Sequence, residues 1–349
     1  MSFKFDPTTS ISSEFGIFGI PCSEEQARVV LLPVPWEVTT SYGWGASQGP
    51  QLIRQASEQV DLFDLETKKA YEVGYFMRQI PQELKDKNDK FKSVAQNVIQ
   101  LRSDLSTDEK KIAELCQKVN LACEEMTAWT LQQAEEILNS GKLLGLVGGD
   151  HSTPWGAIQA VSKKHQGEFA VLHFDAHADL RKSYQGFTQS HASIMYNVMN
   201  HSTRPKKLVQ VGIRDFCEEE YELIQSRKDI KTFFDLDLKR RLLQGESWGK
   251  ISEDILKELP DKVYISFDID GLDPVFCPHT GTPVPGGLNF DQVFYLFRAI
   301  AEAGRKIVGF DLNEVSTGGV PTSEADEWDG NVGARILYKL CGWSTLTNP

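Results

Sequence analysis

Three short segments place aspartate and histidine at a spacing that suits metal binding. They are Gly-Gly-Asp-His at 148–151, Asp-Ala-His-Ala-Asp at 175–179 and Asp-Ile-Asp at 268–270. Residues i, i+2 and i+4 of an extended chain project to the same side, so we expect the alternate residues of each segment to face one way. Carboxylates brought together in this way repel one another strongly unless cations neutralise them. The spacing therefore predicts a cation site.

The number of candidate ligands points to two ions rather than one. A tetrahedral zinc site needs four ligands, whereas these segments offer six: His151, Asp175, His177, Asp179, Asp268 and Asp270. A pair of ions that share bridging carboxylates, about 3.5 to 4 Å apart, would use all of them. Oxygen-rich sets with some imidazole suit Mn²⁺, and Ni²⁺, Co²⁺, Fe²⁺ and Zn²⁺ stay open. Two such cations would turn a shared water into a hydroxide near neutral pH.

The chain must bring these segments together, and its apolar pattern shows how. Apolar runs at 28–32, 143–147, 170–174, 208–211, 263–267 and 307–312 alternate with stretches of helical periodicity. This alternation is typical of βαβ units around a mainly parallel sheet. Ligands bind outside the carboxyl ends of the strands in such sheets. Each candidate metal segment directly follows one of these runs, so we expect all three to meet at one sheet edge.

The remaining sequence favours one domain. Residues 82–140 form a charged, helix-prone segment that predicts one or two helices, which could be an insertion. We find no Gly/Ser-rich or Pro-rich linker, so we predict a single domain over 1–349, with 1–27 as an N-terminal extension.

Composition narrows the class of partner. The chain has 349 residues, with 37 Lys plus Arg against 49 Asp plus Glu, a formal net charge of −12. This charge disfavours nucleic acid and anionic membranes and favours a small cationic ligand. The N-terminal residues do not resemble a secretory signal, and no apolar run is long enough to span a bilayer, so we expect a cytoplasmic protein. The six cysteines form no Cys-x-x-Cys pair and are interpreted as core thiols.

The three metal segments resemble the metal-binding motifs of the ureohydrolases, the family of arginases and agmatinases. The longer matches are Gly-Gly-Asp-His-Ser at 148–152 and Ser-Phe-Asp-Ile-Asp-Gly-Leu-Asp-Pro at 266–274, and the likeness extends over about 28–340. It implies a three-layer α/β/α arginase-like fold with a central, mainly parallel sheet of about eight strands. It also implies a homo-oligomer, either a trimer or a hexamer. The first ion would be held by His151, Asp175, Asp179 and Asp268, and the second by Asp175, His177, Asp268 and Asp270.

The same resemblance suggests the groups that act on the substrate. His191, in Ser-His-Ala at 190–192, is similar to the family histidine that shuttles protons, and Asp179 could relay a proton from the attacking water. Glu314 matches a family glutamate that orients the substrate, and its carboxylate could take two N–H bonds from a guanidinium. The alternatives are a solvent-exposed histidine and a capping carboxylate. We interpret His173 as a buried, hydrogen-bonded histidine.

The leading prediction of activity is hydrolysis of agmatine to putrescine and urea, a step of polyamine metabolism. Residues 180–193 look like an agmatinase-type branch. Guanidinobutyrate, guanidine, arginine and formiminoglutamate are the alternatives. Arg181 and Lys182 could hold a carboxylate, which would favour guanidinobutyrate or formiminoglutamate. Two other classes of protein are alternatives to this prediction: a deacetylase-like enzyme with one zinc, and a non-catalytic metal-binding or assembly homologue. The complete ligand set disfavours both.

Overall fold

A single sheet of eight parallel strands lies at the centre of the computed structural model, which describes residues 16–349. The strands are β1 (Val29–Val34), β2 (Tyr75–Met77), β3 (Leu143–Gly148), β4 (Ala170–Phe174), β5 (Lys207–Ile213), β6 (Ile230–Phe234), β7 (Lys262–Asp268) and β8 (Lys306–Asn313). Their order across the sheet is β2-β1-β3-β8-β7-β4-β5-β6. Every pairing is parallel. The predicted number of strands and their parallel direction are confirmed.

Ten α-helices flank the sheet in the described part of the chain. They are α1 (Gly49–Ser57), α2 (Gln82–Ser103), α3 (Glu109–Asn139), α4 (Trp155–His165), α5 (Ile194–Asn200), α6 (Glu218–Ser226), α7 (Asp235–Leu243), α8 (Trp248–Lys257), α9 (Phe290–Glu302) and α10 (Trp328–Leu346). Helices α2 to α5 pack against one another, and α1, α8, α9 and α10 form a second packed group. These two groups with the sheet between them give the three-layer α/β/α arrangement predicted from the sequence.

Burial explains why the central strands could be found in the sequence. All residues of β3 and β4 are buried, and strands covered on both faces appear as continuous apolar runs. The six predicted strands differ from the observed ones by at most two residues at either end. The edge strands β2 and β6 were not among the predictions.

The charged segment at 82–140 forms the two long helices α2 and α3. Helix α3 begins after Asp108, whose side chain accepts a hydrogen bond from the Lys111 backbone N–H at 3.0 Å. Its buried residues Ile112, Cys116, Val119 and Cys123 recur at three- and four-residue intervals and form one apolar face. This face joins the core, and α3 packs against both α2 and α4. Cys116 and Cys123 are packing residues, as the sequence indicated.

Of the described helices, none combines the length and the apolar character needed to cross a membrane.

Gly149 lies where the loop after β3 passes directly against Trp36. A Cβ atom at this position would lie 2.0 Å from the Trp36 carbonyl oxygen and 2.8 Å from the Trp36 backbone nitrogen. Because backbone cannot move aside as a flexible side chain can, we expect Gly149→Ala to lower the free energy of unfolding by about 3 kcal/mol. The shift in denaturation midpoint in urea would measure it.

Gly141 provides the control for this substitution. It has a φ of +78°, and a Cβ there would meet nothing within 4 Å. Gly141→Ala should therefore cost only the strain of the left-handed backbone, about 1 kcal/mol. Equal losses in the two variants would contradict the close packing of Gly149 on Trp36.

Candidate metal centre

The carboxyl ends of four adjacent strands bring the predicted residues to one edge of the sheet. His151 follows β3, and the segment 175–179 follows β4. Asp268 is the last residue of β7, and Glu314 comes directly after β8. Since these four strands are neighbours in the order β3-β8-β7-β4, their ends meet above the middle of the sheet. All six predicted metal ligands are brought together there.

The first group of side chains surrounds the ring of His151. Its Nδ1 atom lies 2.9 Å from Asp175 Oδ2, 3.3 Å from Asp179 Oδ2 and 3.3 Å from Asp268 Oδ2. All four side chains are buried. One imidazole nitrogen therefore faces three carboxylates in a space that excludes bulk water.

The second group lies around His177 and shares one carboxylate with the first. His177 Nδ1 is 3.0 Å from Asp270 Oδ2 and 3.5 Å from Asp175 Oδ1. Asp175 thus presents one oxygen to each histidine. Asp268 and Asp270 are also linked, because Asp268 Oδ1 accepts the Asp270 backbone N–H at 2.9 Å. The two groups form a continuous cluster.

Hydrogen bonding fixes the protonation of His151 in a way that favours a cation. Ser266 Oγ donates to Asp311 Oδ1 at 2.9 Å, so it can only accept from His151 Nε2, which lies 2.9 Å away. In the neutral ring the proton is then on Nε2, and the Nδ1 lone pair faces three carboxylates. The lone pair on His151 Nδ1 and the three carboxylates would repel one another unless a positive charge lies between them. The donor set therefore fits metal ions.

The pKa shifts in the cluster also indicate that positive charge would stabilise it. Burial and the Asp175 charge raise the pKa of Asp179 to about 7. Burial, Asp270 and Asp175 raise the pKa of Asp268 well above its usual range. Burial alone would lower the pKa of His151 and His177, but the surrounding carboxylates outweigh it and raise both well above the usual value.

His173 supports the cluster instead of binding within it. Gln210 Nε2 donates to His173 Nδ1 at 3.0 Å, so Nε2 carries the ring proton and donates to Asp175 Oδ2 at 2.8 Å. The Gln210 amide is itself oriented by Thr232, whose hydroxyl donates to Oε1 at 2.8 Å. Burial lowers the pKa of His173, which keeps the ring neutral. This is the buried, hydrogen-bonded histidine that the sequence indicated.

A cavity of about 170 Å³ opens beside the cluster, and both His191 and Glu314 line it. His191 Nδ1 lies 3.7 Å from Glu314 Oε1, and its side chain is only 13% exposed. The Nε2 atom of His191 is buried and has no hydrogen-bond partner among residues 16–349. Burial alone would lower the pKa of His191, but Glu314, Asp150 and Asp179 raise it. An unpartnered ring nitrogen of His191 is therefore available beside the cavity.

Glu314 occupies a strained backbone conformation that its hydrogen bonds stabilise. Its φ of +61° is rare for a residue with a long side chain. Its N–H donates to Gly149 O at 2.8 Å, and its carbonyl accepts from the Thr280 hydroxyl at 2.9 Å. Its carboxylate accepts the His151 backbone N–H at 2.9 Å. The carboxylate is thus held in one orientation beside the His and Asp cluster.

Four further residues line the cavity although the sequence assigned them no role: Ser41, Asp215, Glu220 and Thr282. Asp215 follows β5 and is exposed, so the strand-end rule could have found it. Glu220 fixes loops, because it accepts the backbone N–H groups of Leu180 and Cys217, both at 2.9 Å.

The two cationic residues of the loop after β4 differ in position. Arg181 lines the cavity, where its Nε lies 3.5 Å from Glu220 Oε2 and its guanidinium lies 5.0 Å from the Tyr184 ring centre. Lys182 is exposed and is not part of the lining. The positive charge of Arg181 is therefore partly neutralised.

Two residues of the loop after β7 lie away from the cavity. Cys277 is fully buried, and its Sγ donates to Ile269 O at 3.3 Å. His279 binds Asp329 with both its ring Nδ1 and its backbone N–H, each at 3.0 Å. Neither residue lines the cavity.

A parallel α/β/α sheet whose strand ends gather buried His and Asp side chains beside an acidic cavity defines a metal-dependent hydrolase. The sequence model of the arginase family matches residues 27–341, and the chain belongs to this family. It is a hydrolase, and its ureohydrolase relatives in this family act on guanidino compounds.

Known relatives agree with this assignment. The chain is 34% identical over 323 residues to N(1)-aminopropylagmatine ureohydrolase of Thermus thermophilus, which covers 92% of each chain. It is 30% identical over 335 residues to agmatinase of Photorhabdus laumondii, which covers 95% of this chain and 92% of the relative. The crystal structure of agmatine ureohydrolase of Thermoplasma volcanium has a similar fold, with a TM-score of 0.68 and 21% identity over 93% of this chain and 92% of that one.

Proposed function

We propose that the protein hydrolyses agmatine to putrescine and urea at a centre of two divalent cations, with Mn²⁺ as the ion. The observation that carries this proposal is the position of Glu314, a fixed carboxylate on the same cavity as the His and Asp cluster. A planar guanidinium can donate two N–H bonds to such a carboxylate. The relatives named agmatinase support the choice of substrate.

The proposed ligands follow the two groups of side chains. His151, Asp175, Asp179 and Asp268 would hold one ion, and Asp175, His177, Asp268 and Asp270 the other. When bound, the ions would supply Lewis acidity and lower the pKa of a water enough to make it a nucleophile near neutral pH.

The chain's own residues then position the substrate and move the proton. The Glu314 carboxylate accepts guanidinium N–H bonds and so holds the central carbon beside the cluster. Attack of water leaves a proton to be moved, and the carboxylate of Asp179, which lines the cavity, is the proposed acceptor. The departing amine needs a proton, which His191 can donate from its unpartnered Nε2. Glu314 assists because its charge raises the pKa of His191.

The charges around the cavity favour a cationic tail on the substrate. Asp215 and Glu220 line it, and the one arginine of the lining, Arg181, lies against Glu220. A carboxylate tail would be repelled, which disfavours guanidinobutyrate, arginine and formiminoglutamate. N(1)-aminopropylagmatine is the second candidate, because its extra amine could reach the exposed carboxylate of Asp215. The relatives at 34% identity carry that name.

A panel of guanidino compounds tests the proposal. Protein reconstituted with Mn²⁺ should release urea from agmatine with a kcat/KM at least about 100-fold above that for guanidinobutyrate or arginine. The amine of agmatine would form charge-assisted contacts with Asp215 and Glu220, whereas a carboxylate on the substrate would be repelled by both. N(1)-aminopropylagmatine in the same panel separates the two candidates. A preference for any carboxylate-bearing compound would contradict the proposed cationic tail.

The proposal extends to a cytoplasmic homo-oligomer, a trimer or a hexamer, as the family resemblance implies. The net charge of −12 is consistent with a small cationic partner rather than nucleic acid.

A further inference from the structure

The loop that follows the metal segment of β4 ends in a tight turn. This pocket loop, residues 180–190, contributes Arg181 and Tyr184 to the cavity lining. Tyr184 and Phe187 exchange both of their backbone hydrogen bonds, at 3.0 and 2.9 Å. Between them Gln185 and Gly186 both have positive φ, 54° and 92°, which is the geometry of a type I′ turn. The position of Tyr184 at the cavity therefore depends on where this turn is held.

Helix α3 holds the turn through one amide side chain. Asn120 Nδ2 donates to Gly186 O at 3.2 Å, and Asn120 Oδ1 accepts the Thr188 N–H at 3.0 Å. The helix and the turn are in close contact, since a Cβ on Gly186 would lie 2.7 Å from Cys116 Sγ. One residue of α3 thus binds the backbone on both sides of Phe187.

Other residues of the same two helices hold neighbouring backbone. Arg102, at the end of α2, donates from Nε to Gln185 O at 3.1 Å. At a second loop of the cavity wall, Asn88 of α2 accepts the Glu37 N–H at 2.7 Å, and Lys92 donates to Glu37 Oε1 at 2.5 Å. Glu37 in turn accepts the Gly45 N–H at 2.8 Å and so closes the loop that carries Ser41 to the cavity. Helices α2 and α3 therefore support two of the loops that border the cavity.

We infer that the α2–α3 pair is the substrate-selecting support of this enzyme, and that Asn120 is a positioning residue for the pocket loop. This inference rests on the proposed guanidino substrate. The loop lies on the cavity wall contributed by Arg181 and Tyr184, whereas the guanidinium group would lie at Glu314. Asn120 then affects recognition of the substrate tail and leaves recognition of the guanidinium group unchanged.

Asn120→Ala tests this assignment, with Gln132→Ala as its matched control. Gln132 lies on the same helix, is exposed and bonds only Glu136 among the described residues. We expect Asn120→Ala to raise KM for agmatine about tenfold, the effect of losing two neutral hydrogen bonds. The inhibition constant of guanidinium ion should stay within about twofold, because that ion does not reach the loop. Asn120→Asp, which retains the acceptor for Thr188, should give an intermediate KM.

Hydrogen exchange gives a second measurement that does not need turnover. The Thr188 amide loses its acceptor in Asn120→Ala, so a peptide covering 184–190 should exchange faster than in the wild type or in Gln132→Ala. Unchanged exchange, or equal changes in agmatine KM and guanidinium inhibition, would overturn the role of Asn120. A wild type that releases no urea from any guanidino compound would instead overturn the proposed function, and the exchange experiment would still test the Asn120 contacts.

Discussion

Asp268→Asn is expected to abolish binding of both metal ions and to lower urea release by about 10³-fold or more, because the proposed ligand set gives this carboxylate to each ion. The side chain is buried, and its Oδ2 lies 3.3 Å from His151 Nδ1. The Asn amide has almost the same shape, so the loss comes from charge and ligand type. Metal content by mass spectrometry and the rate of urea release would measure both effects.

The folded structure should survive this substitution. Burial, Asp270 and Asp175 raise the pKa of Asp268, which shows that its charge is unfavourable when no cation is present. A neutral amide removes that charge, so the metal-free variant should melt at or above the temperature of the metal-free wild type. Asp273→Asn, in the loop after β7 and outside the cavity lining, is the control and should retain two ions per chain. Full activity of Asp268→Asn with both ions bound would refute the proposed centre.

Glu314→Gln is expected to lower kcat/KM for agmatine by about 100-fold while two metal ions stay bound, because charge-assisted bonds to the guanidinium become neutral ones. The Gln carbonyl can still accept the His151 backbone N–H, which Glu314 accepts at 2.9 Å. Glu and Gln also bear the same strain at a φ of +61°. Steady-state kinetics together with a metal count would separate substrate binding from assembly of the centre.

The same variant has a predicted pH signature. The Glu314 carboxylate raises the pKa of His191, so the neutral amide should lower it. A protonated His191 is lost as pH rises through its pKa, and the alkaline decline in activity should therefore begin at a lower pH in Glu314→Gln. Glu327→Gln, an exposed change before α10, should leave both kcat/KM and the pH profile unchanged. Loss of metal from Glu314→Gln would contradict its assignment to the substrate.

Sequence patterns predicted the centre of the sheet better than its edges. Strands such as β4 are covered on both faces, so their sequences are continuous apolar runs that are easily recognised as buried strands. Strand β2 has only three residues, and β6 exposes Lys231, so neither gives a continuous apolar signal. Edge strands of this kind are recognised only once their neighbours are known.

The His and Asp cluster was predictable because the spacing of its residues follows the period of extended chain. The residues that orient them were not, since Ser266 and Gln210 lie inside apolar strands where a single polar residue has many explanations. The role of Asn120 could not be predicted either, because its partners Gly186 and Thr188 are more than sixty residues away in the chain. Such contacts depend on how helix and loop pack, and no local pattern encodes them.

The position of β8 has a consequence for how the protein folds. This strand lies between β3 and β7, yet it is the last strand in the chain. The half-sheets β2-β1-β3 and β7-β4-β5-β6 are joined only through β8, because β8 pairs with β3 on one side and with β7 on the other. His151 follows a strand of one half and Asp268 ends a strand of the other, so the His and Asp cluster forms only when β8 has joined the two halves. We therefore expect the closing of the sheet to be a late step of folding, because it brings together segments that are far apart in the chain.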